Sequence, residues 1–212
     1  QPYSIFMSEC PYLDGVLIDK RLPRWNLYYL NNLKKTLSKY DFSKVFDLQN
    51  SSRTKFYKRF IIKNVEWSST ETSLEPGQKK KDFDQDPVLD RMEIQLKKSG
   101  VETEFTKNID LSWAVENTSY LVKKYTNREY ILLFPFCSPK LKNKKWPYYK
   151  ELIQKLKQEF KNKYSVLLAP GPNEIKEANE LNAKVILENN EHVKLKTLIS
   201  LINSAKLIIA ND

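Results

Sequence analysis

Apolar residues in this chain gather in short runs, and after each run they recur at helical spacing. A buried strand followed by an amphipathic helix is the order that builds parallel α/β sheets. In the first half, residues 15–19 and 44–48 read as strands. Residues 22–40 and 51–60 read as helices, the longer one carrying Leu27, Leu30, Leu33 and Leu37. Residues 68–85 turn polar, with Pro76-Gly77 and three consecutive lysines, which predicts a long exposed loop. A helix over 86–99 follows, with Pro87 in its first turn and Gly100 as its stop. Periodicity then weakens over 101–124, so the expected division is into domains 1–124 and 125–212.

The second half is more regular. From Tyr130 to Phe134 the run is almost wholly apolar, as a strand buried on both faces requires. Pro147 opens a helix whose stripe is Tyr149, Leu152, Ile153, Leu156 and Phe160. Strands over 165–169, 184–187 and 206–210 then alternate with helices over 172–181 and 194–203. Strands in strict alternation with helices predict a Rossmann-like half, and no repeat at solenoid spacing interrupts it.

Composition narrows the function classes. Across 212 residues, 41% hydrophobic and 12% aromatic side chains are enough to build a core. No run approaches the roughly 18 apolar residues of a membrane span, and the N-terminus lacks the layout of a signal peptide, so a soluble, cytoplasmic chain is expected. Cys10 and Cys137 have no CxxC partner and His192 stands alone, which argues against a metal site and gives the cysteines a structural role. The net charge of +10 favours anionic partners. Lysines outnumber arginines about five to one and are spread along the chain, so no nucleic acid is expected.

Ligands of parallel sheets sit beyond the carboxyl ends of the strands, where helix N-termini face the crevice. After Phe134 come Pro135-Phe136-Cys137-Ser138-Pro139, a basic stretch from Lys140 to Lys145, and Trp146-Pro147. A hydroxyl in the turn and a lysine before the helix suit a diphosphate, and they equally suit a basic surface loop that caps a helix. After Ala169 come Pro170-Gly171-Pro172-Asn173-Glu174, where Glu174 is either a ligand contact or a first-turn carboxylate. The run Val45-Phe46-Asp47-Leu48-Gln49-Asn50-Ser51-Ser52-Arg53-Thr54 is another strand-to-helix turn, in which Asp47 or Ser51 can cap the helix and Arg53 can be a surface charge.

Taken in order, these segments resemble glycosyltransferase family 9, the ADP-heptose:lipopolysaccharide heptosyltransferases. Ser138 falls near the family's hydroxyl contact to the donor phosphates, with Cys137 as the neighbouring alternative. Lys144, or Lys145 beside it, matches the phosphate-binding lysine, and Glu174 lies near the donor nucleoside. The end of the chain, Ser204-Ala205-Lys206-Leu207-Ile208-Ile209-Ala210-Asn211-Asp212, is similar to the strand leading into the family's Asn-Asp-Thr-Gly-Pro-x-His motif. That match sets Asp212 against the donor sugar and diphosphate. The resemblance also makes Gln49, Asn50 and Arg53 acceptor contacts and gives Leu111-Ser112-Trp113 a packing role.

What the resemblance implies is an α/β fold of GT-B type, two Rossmann-like domains with parallel sheets, both incomplete in this chain. The N-terminal domain would hold an anionic glycolipid acceptor, the lipopolysaccharide core, and the C-terminal one the nucleotide-sugar donor ADP-heptose. Transfer would invert the anomeric centre with no metal and no cofactor, at most peripherally on the inner face of the inner membrane. The family's proposed base, an aspartate in a Gly-Asp turn, is expected upstream, so the chain reads as an internal piece, inactive alone. Two other readings stay open: a GT-B transferase for another nucleotide-sugar, and a non-enzymatic basic α/β module that binds polyanions.

Overall fold

Two separate sets of parallel strands organise the chain. The computed structural model describes residues 3–211, which divide into a first unit, Val16–Asp110, and a second made of Tyr3–Gly15 with residues 111–211. The division falls after Asp110, where the sequence places it at 124. A short helix, α1 (Ser4–Ser8), belongs to the second unit, where Phe6 packs on Trp113 with ring centroids 4.8 Å apart.

The first unit runs α2 (Leu27–Leu37), β1 (Lys44–Phe46), α3 (Ser52–Phe60), β2 (Glu66–Ser68), α4 (Thr70–Ser73), α5 (Lys80–Phe83) and α6 (Val88–Lys98). β1 and β2 pair in parallel, with Val45 opposite Trp67. α3 starts where the sequence puts it, because Ser51 and Thr54 cap each other reciprocally. α2 starts at Leu27 and not at 22, because the Asn26 side chain accepts the Tyr29 N–H and so sets the first turn.

Two expectations fail here. Residues 15–19 form no strand. Leu17 and Ile18 are exposed, and Asp19 is held by the Tyr29 and Tyr57 hydroxyls and the Arg21 N–H in place of a ladder. Residues 68–85 are not one exposed loop, since they contain α4, α5 and the buried Ser68, Ser69, Thr70, Ser73 and Phe83. Their hydroxyl-rich composition imitates a loop, but the hydroxyls are used locally. Ser73 Oγ and Thr72 Oγ1 both donate to the Ser69 carbonyl, at 2.8 and 2.9 Å.

The second unit continues through a 3₁₀ turn (Ser112–Ala114), α7 (Ser119–Lys123), β3 (Tyr130–Phe134), a 3₁₀ segment (Pro139–Lys144), α8 (Tyr149–Glu159), β4 (Ser165–Leu168), α9 (Ile175–Asn179), β5 (Lys184–Val185), α10 (Leu195–Ser204) and β6 (Leu207–Ala210). Its sheet has the order β5-β4-β3-β6, every pair parallel. Alternate residues of β3 feed opposite faces, as the pleat dictates. Tyr130 and Leu132 join Leu121, Leu167, Ile186 and Leu201 on one side, while Ile131 and Leu133 join Tyr149, Ile153, Val166 and Ala178 on the other. This three-layer packing holds the strand ends, and the loops leaving them, on a rigid base.

Candidate functional site

In the second unit three loops leave neighbouring strands at their carboxyl ends: 135–148 after β3, 169–174 after β4, and Asn211 after β6. Side-chain bonds tie the loop after β3 to Asn211 and to α9, the helix that follows the 169–174 loop. The Asn211 amide donates to the Pro135 carbonyl at 2.7 Å and to that of Phe136 at 3.3 Å, and its oxygen accepts the Trp146 N–H at 3.3 Å. Lys145 forms an ion pair with Glu177 on α9 and lies 5.7 Å from the centre of the Phe136 ring. The turn after β4 closes on itself, because Gly171 N–H donates to Glu174 Oε2 at 2.7 Å. A Cβ at position 171 would come within 3.1 Å of that oxygen, so a larger residue there would press on the Glu174 carboxylate. The same closure shortens α9, which begins at Ile175 where the sequence predicts 172.

Ser138 and Lys144 are both exposed on the loop after β3, and Lys144 forms no ion pair among the described residues. The Ser138 carbonyl accepts the Leu141 N–H, and Cys137 Sγ donates to the Leu141 carbonyl at 3.2 Å. Of the two lysines open as alternatives, Lys145 is therefore committed to Glu177 and Lys144 is available to a ligand. Glu174 lies in the adjacent loop. Asp212 lies outside the described residues. No side chain caps the N-terminus of α8 among the described residues, so its first-turn N–H groups are open to an anion.

The acceptor-side residues lie in the first unit. Asn50 adopts a positive φ of 50°, and its amide is used at both ends: Nδ2 donates to Gln95 Oε1 at 3.1 Å and Oδ1 accepts the Thr70 N–H at 2.6 Å. Arg53 donates to Tyr57 Oη at 2.9 Å and to the carbonyls of Arg21 and Leu22, at 3.2 and 2.9 Å. Gln49 accepts from the Arg21 guanidinium. Gln49 also lines a hollow of about 710 Å³, with Asp19, Tyr29 and Tyr57 on its polar side and Leu33, Val45 and Trp67 among its apolar wall.

Asp19 escapes a sequence reading because its partners are ten and 38 residues away. Burial pushes its carboxyl up, but hydrogen bonds from Tyr29, the Arg21 N–H and Tyr57, with the Arg53 charge, outweigh that and hold it below its ordinary 3.8. Burial and the Asp19 hydrogen bond push the Tyr29 phenol up in turn. A depressed folded value means that the carboxylate's stabilisation is complete above 3.8 and is lost as pH falls through the folded value. The urea midpoint gap between the protein and Asp19→Asn is thus expected to be widest at neutral pH and to narrow below 3.8. A gap independent of pH would show that the carboxylate's charge plays no part.

Among the described residues no group of three His, Cys, Asp or Glu side chains is placed to hold a metal, and no helix is long and apolar enough to cross a membrane. A family model described as glycosyltransferase family 9 (heptosyltransferase) matches residues 30–212. A crystal structure of the glycosyl transferase family 9 from Veillonella parvula DSM 2008 is similar in fold, with a TM-score of 0.61 at 15% identity, covering 93% of this chain and 60% of that one. The chain thus spans about 60% of the length of that relative, and what the two share is the GT-B type of α/β fold. No curated protein matches the sequence.

Proposed function

The chain belongs to glycosyltransferase family 9, and on that premise we propose that the protein of which it forms part transfers a heptose-type sugar from ADP-heptose to an anionic glycolipid of the lipopolysaccharide core. The second unit takes the nucleotide-sugar and the first unit the acceptor. Ser138 and the open N-terminus of α8 donate hydrogen bonds to the diphosphate, Lys144 neutralises it, and Glu174 and Asp212 flank the nucleoside and the sugar. Gln49, Asn50 and Arg53 serve the acceptor side, Asn50 and Arg53 chiefly by holding the turn after β1 in shape.

An acceptor hydroxyl attacks the anomeric carbon as the C–O bond to the diphosphate breaks, and the configuration inverts. The acceptor proton passes to a base, and the charge that develops on the leaving diphosphate is met by the lysine and the N–H donors. Peripheral attachment to the inner face of the inner membrane brings the enzyme to such an acceptor. The observation that carries the reading is that the loops after β3, β4 and β6 leave adjacent strands, the β3 loop being tied to Asn211 and, through the pair Lys145–Glu177, to α9.

Calorimetric titration tests it. ADP is expected to bind more tightly than inorganic phosphate, and Lys144→Ala to weaken ADP by about tenfold. Competition by UDP and GDP ranks the donor nucleotides. Equal affinity for ADP and phosphate, unchanged in the variant, would turn the assignment toward a general polyanion binder.

A further inference from the structure

At the opposite end of the second sheet, where strands begin and helices end, the chain forms a concavity of about 420 Å³. Its lining includes Lys123, Lys124, Arg128 and Lys184 with the hydroxyls of Thr126 and Ser165, and no carboxylate lines it among the described residues. Cations are favoured near helix C-termini, because the last carbonyls carry partial negative charge. Two of the four cations answer to that: Arg128 Nη1 donates to the Lys161 carbonyl and Lys184 Nζ to that of Tyr125. Each keeps further N–H donors. Lys123 and Lys124, on the last turn of α7 and just beyond it, form no ion pair among the described residues.

The hydroxyl pair adds a second, independent observation. Thr126 Oγ1 and Ser165 Oγ lie 2.7 Å apart, and Thr126 Oγ1 also accepts the Arg128 N–H at 3.0 Å. Two hydroxyls hold two protons and the bond between them uses one. Whichever of them donates, one O–H is left with no acceptor among the described residues, on a threonine that is buried or on its half-buried partner. A spare hydroxyl donor beneath cations without carboxylate partners is the donor set that tetrahedral oxyanions select.

We propose that this concavity at the amino end of the second sheet, bounded by Lys124, Thr126, Arg128, Ser165 and Lys184, binds a phosphate group. It is separate from the diphosphate crevice, since it opens at the starts of β3 and β4 while the donor loops leave their ends. The phosphate belongs either to a free phosphate or to the headgroup of an anionic lipid, and the test has an arm for each.

In the first arm, radiolabelled inorganic phosphate is dialysed against the full chain, the double variant Lys124→Ala/Arg128→Ala, Thr126→Val, and the donor-loop variant Lys144→Ala. In the second, the same proteins are floated with phosphatidylcholine vesicles with and without phosphatidic acid. The two cations are exposed, so the double variant is expected to fold normally, and circular dichroism checks Thr126→Val. The expected result is a loss of roughly tenfold or more in the double variant and a smaller loss in Thr126→Val, over and above any phosphate that Lys144→Ala loses at the donor crevice. Loss in dialysis identifies a free phosphate, and loss confined to phosphatidic acid vesicles identifies a lipid headgroup. If the double variant matches the unmodified protein in both arms, or if only Lys144→Ala loses phosphate, the site does not exist. The second of those outcomes leaves the donor reading intact.

Discussion

Replacing Gln95 with leucine is expected to destabilise the first unit by about 3 kcal/mol. Gln95 is 1% exposed on α6, and its Nε2 donates to the carbonyls of Asp47 and Ser68 at 3.2 and 3.1 Å, while its Oε1 accepts from Asn50 at 3.1 Å. One side chain thus bridges the exits of β1 and β2 and the turn that carries Gln49, Asn50 and Arg53. Leucine fills a similar volume but takes the partner from the Asp47 carbonyl and from the Asn50 amide N–H, while the Ser68 carbonyl keeps the Asp47 N–H at 2.8 Å, and the desolvation of the two orphaned groups is the larger part of the cost. Lys97→Ala, exposed on the same helix, is the control and is expected to change stability by less than about 0.5 kcal/mol. Urea unfolding followed by fluorescence reads both, because Trp67 is buried in the same unit. Equal midpoints for the two variants would show that the bridge contributes nothing.

The second large effect is expected at Asn211. Alanine there removes two donated bonds and one accepted bond, leaving the carbonyl of buried Pro135 exposed to no donor, at a cost of about 2 kcal/mol. Because those bonds fasten the loop carrying Ser138 and Lys144, ADP affinity is expected to fall by roughly tenfold or more as well. Asn211→Asp separates geometry from simple truncation: it keeps the oxygen that accepts from Trp146 but turns a negative oxygen toward two carbonyls. The aspartate variant is therefore expected to be worse than the alanine one in both stability and ADP binding. The reverse order, read by thermal unfolding and calorimetry, would mean that the amide does not face those carbonyls.

How far the sequence foretells the structure varies with the range of the forces involved. β3 runs from Tyr130 to Phe134 as expected, since a strand buried on both faces leaves an unbroken apolar run, and α3 begins where a serine can cap it. Where long-range partners decide, the pattern misleads. The apolar stretch at 15–19 finds no strand to pair with, and within 68–85 the buried Ser68 is met by Ser99 Oγ from the end of α6, while Ser73 Oγ donates to the Ser69 carbonyl. The same holds for the site. The placement of Ser138, Lys144 and Glu174 after parallel strands was legible from the alternation of elements. Which of Lys144 and Lys145 is ion-paired was not, because it turns on Glu177 on α9. Asn211, Gln95 and Asp19 act on groups tens of residues distant, and nothing in their local spacing announces it.

The central claim is that a nucleoside diphosphate is held by the loops at the carboxyl end of the second sheet. Residue-resolved NMR of the chain titrated with ADP tests it most directly. The account predicts amide shift changes concentrated at 135–148, 169–175 and 211, the first turn of α8 included, and absent from the first unit. Changes centred on the 710 Å³ hollow of the first unit, or spread evenly over the lysines, would contradict it.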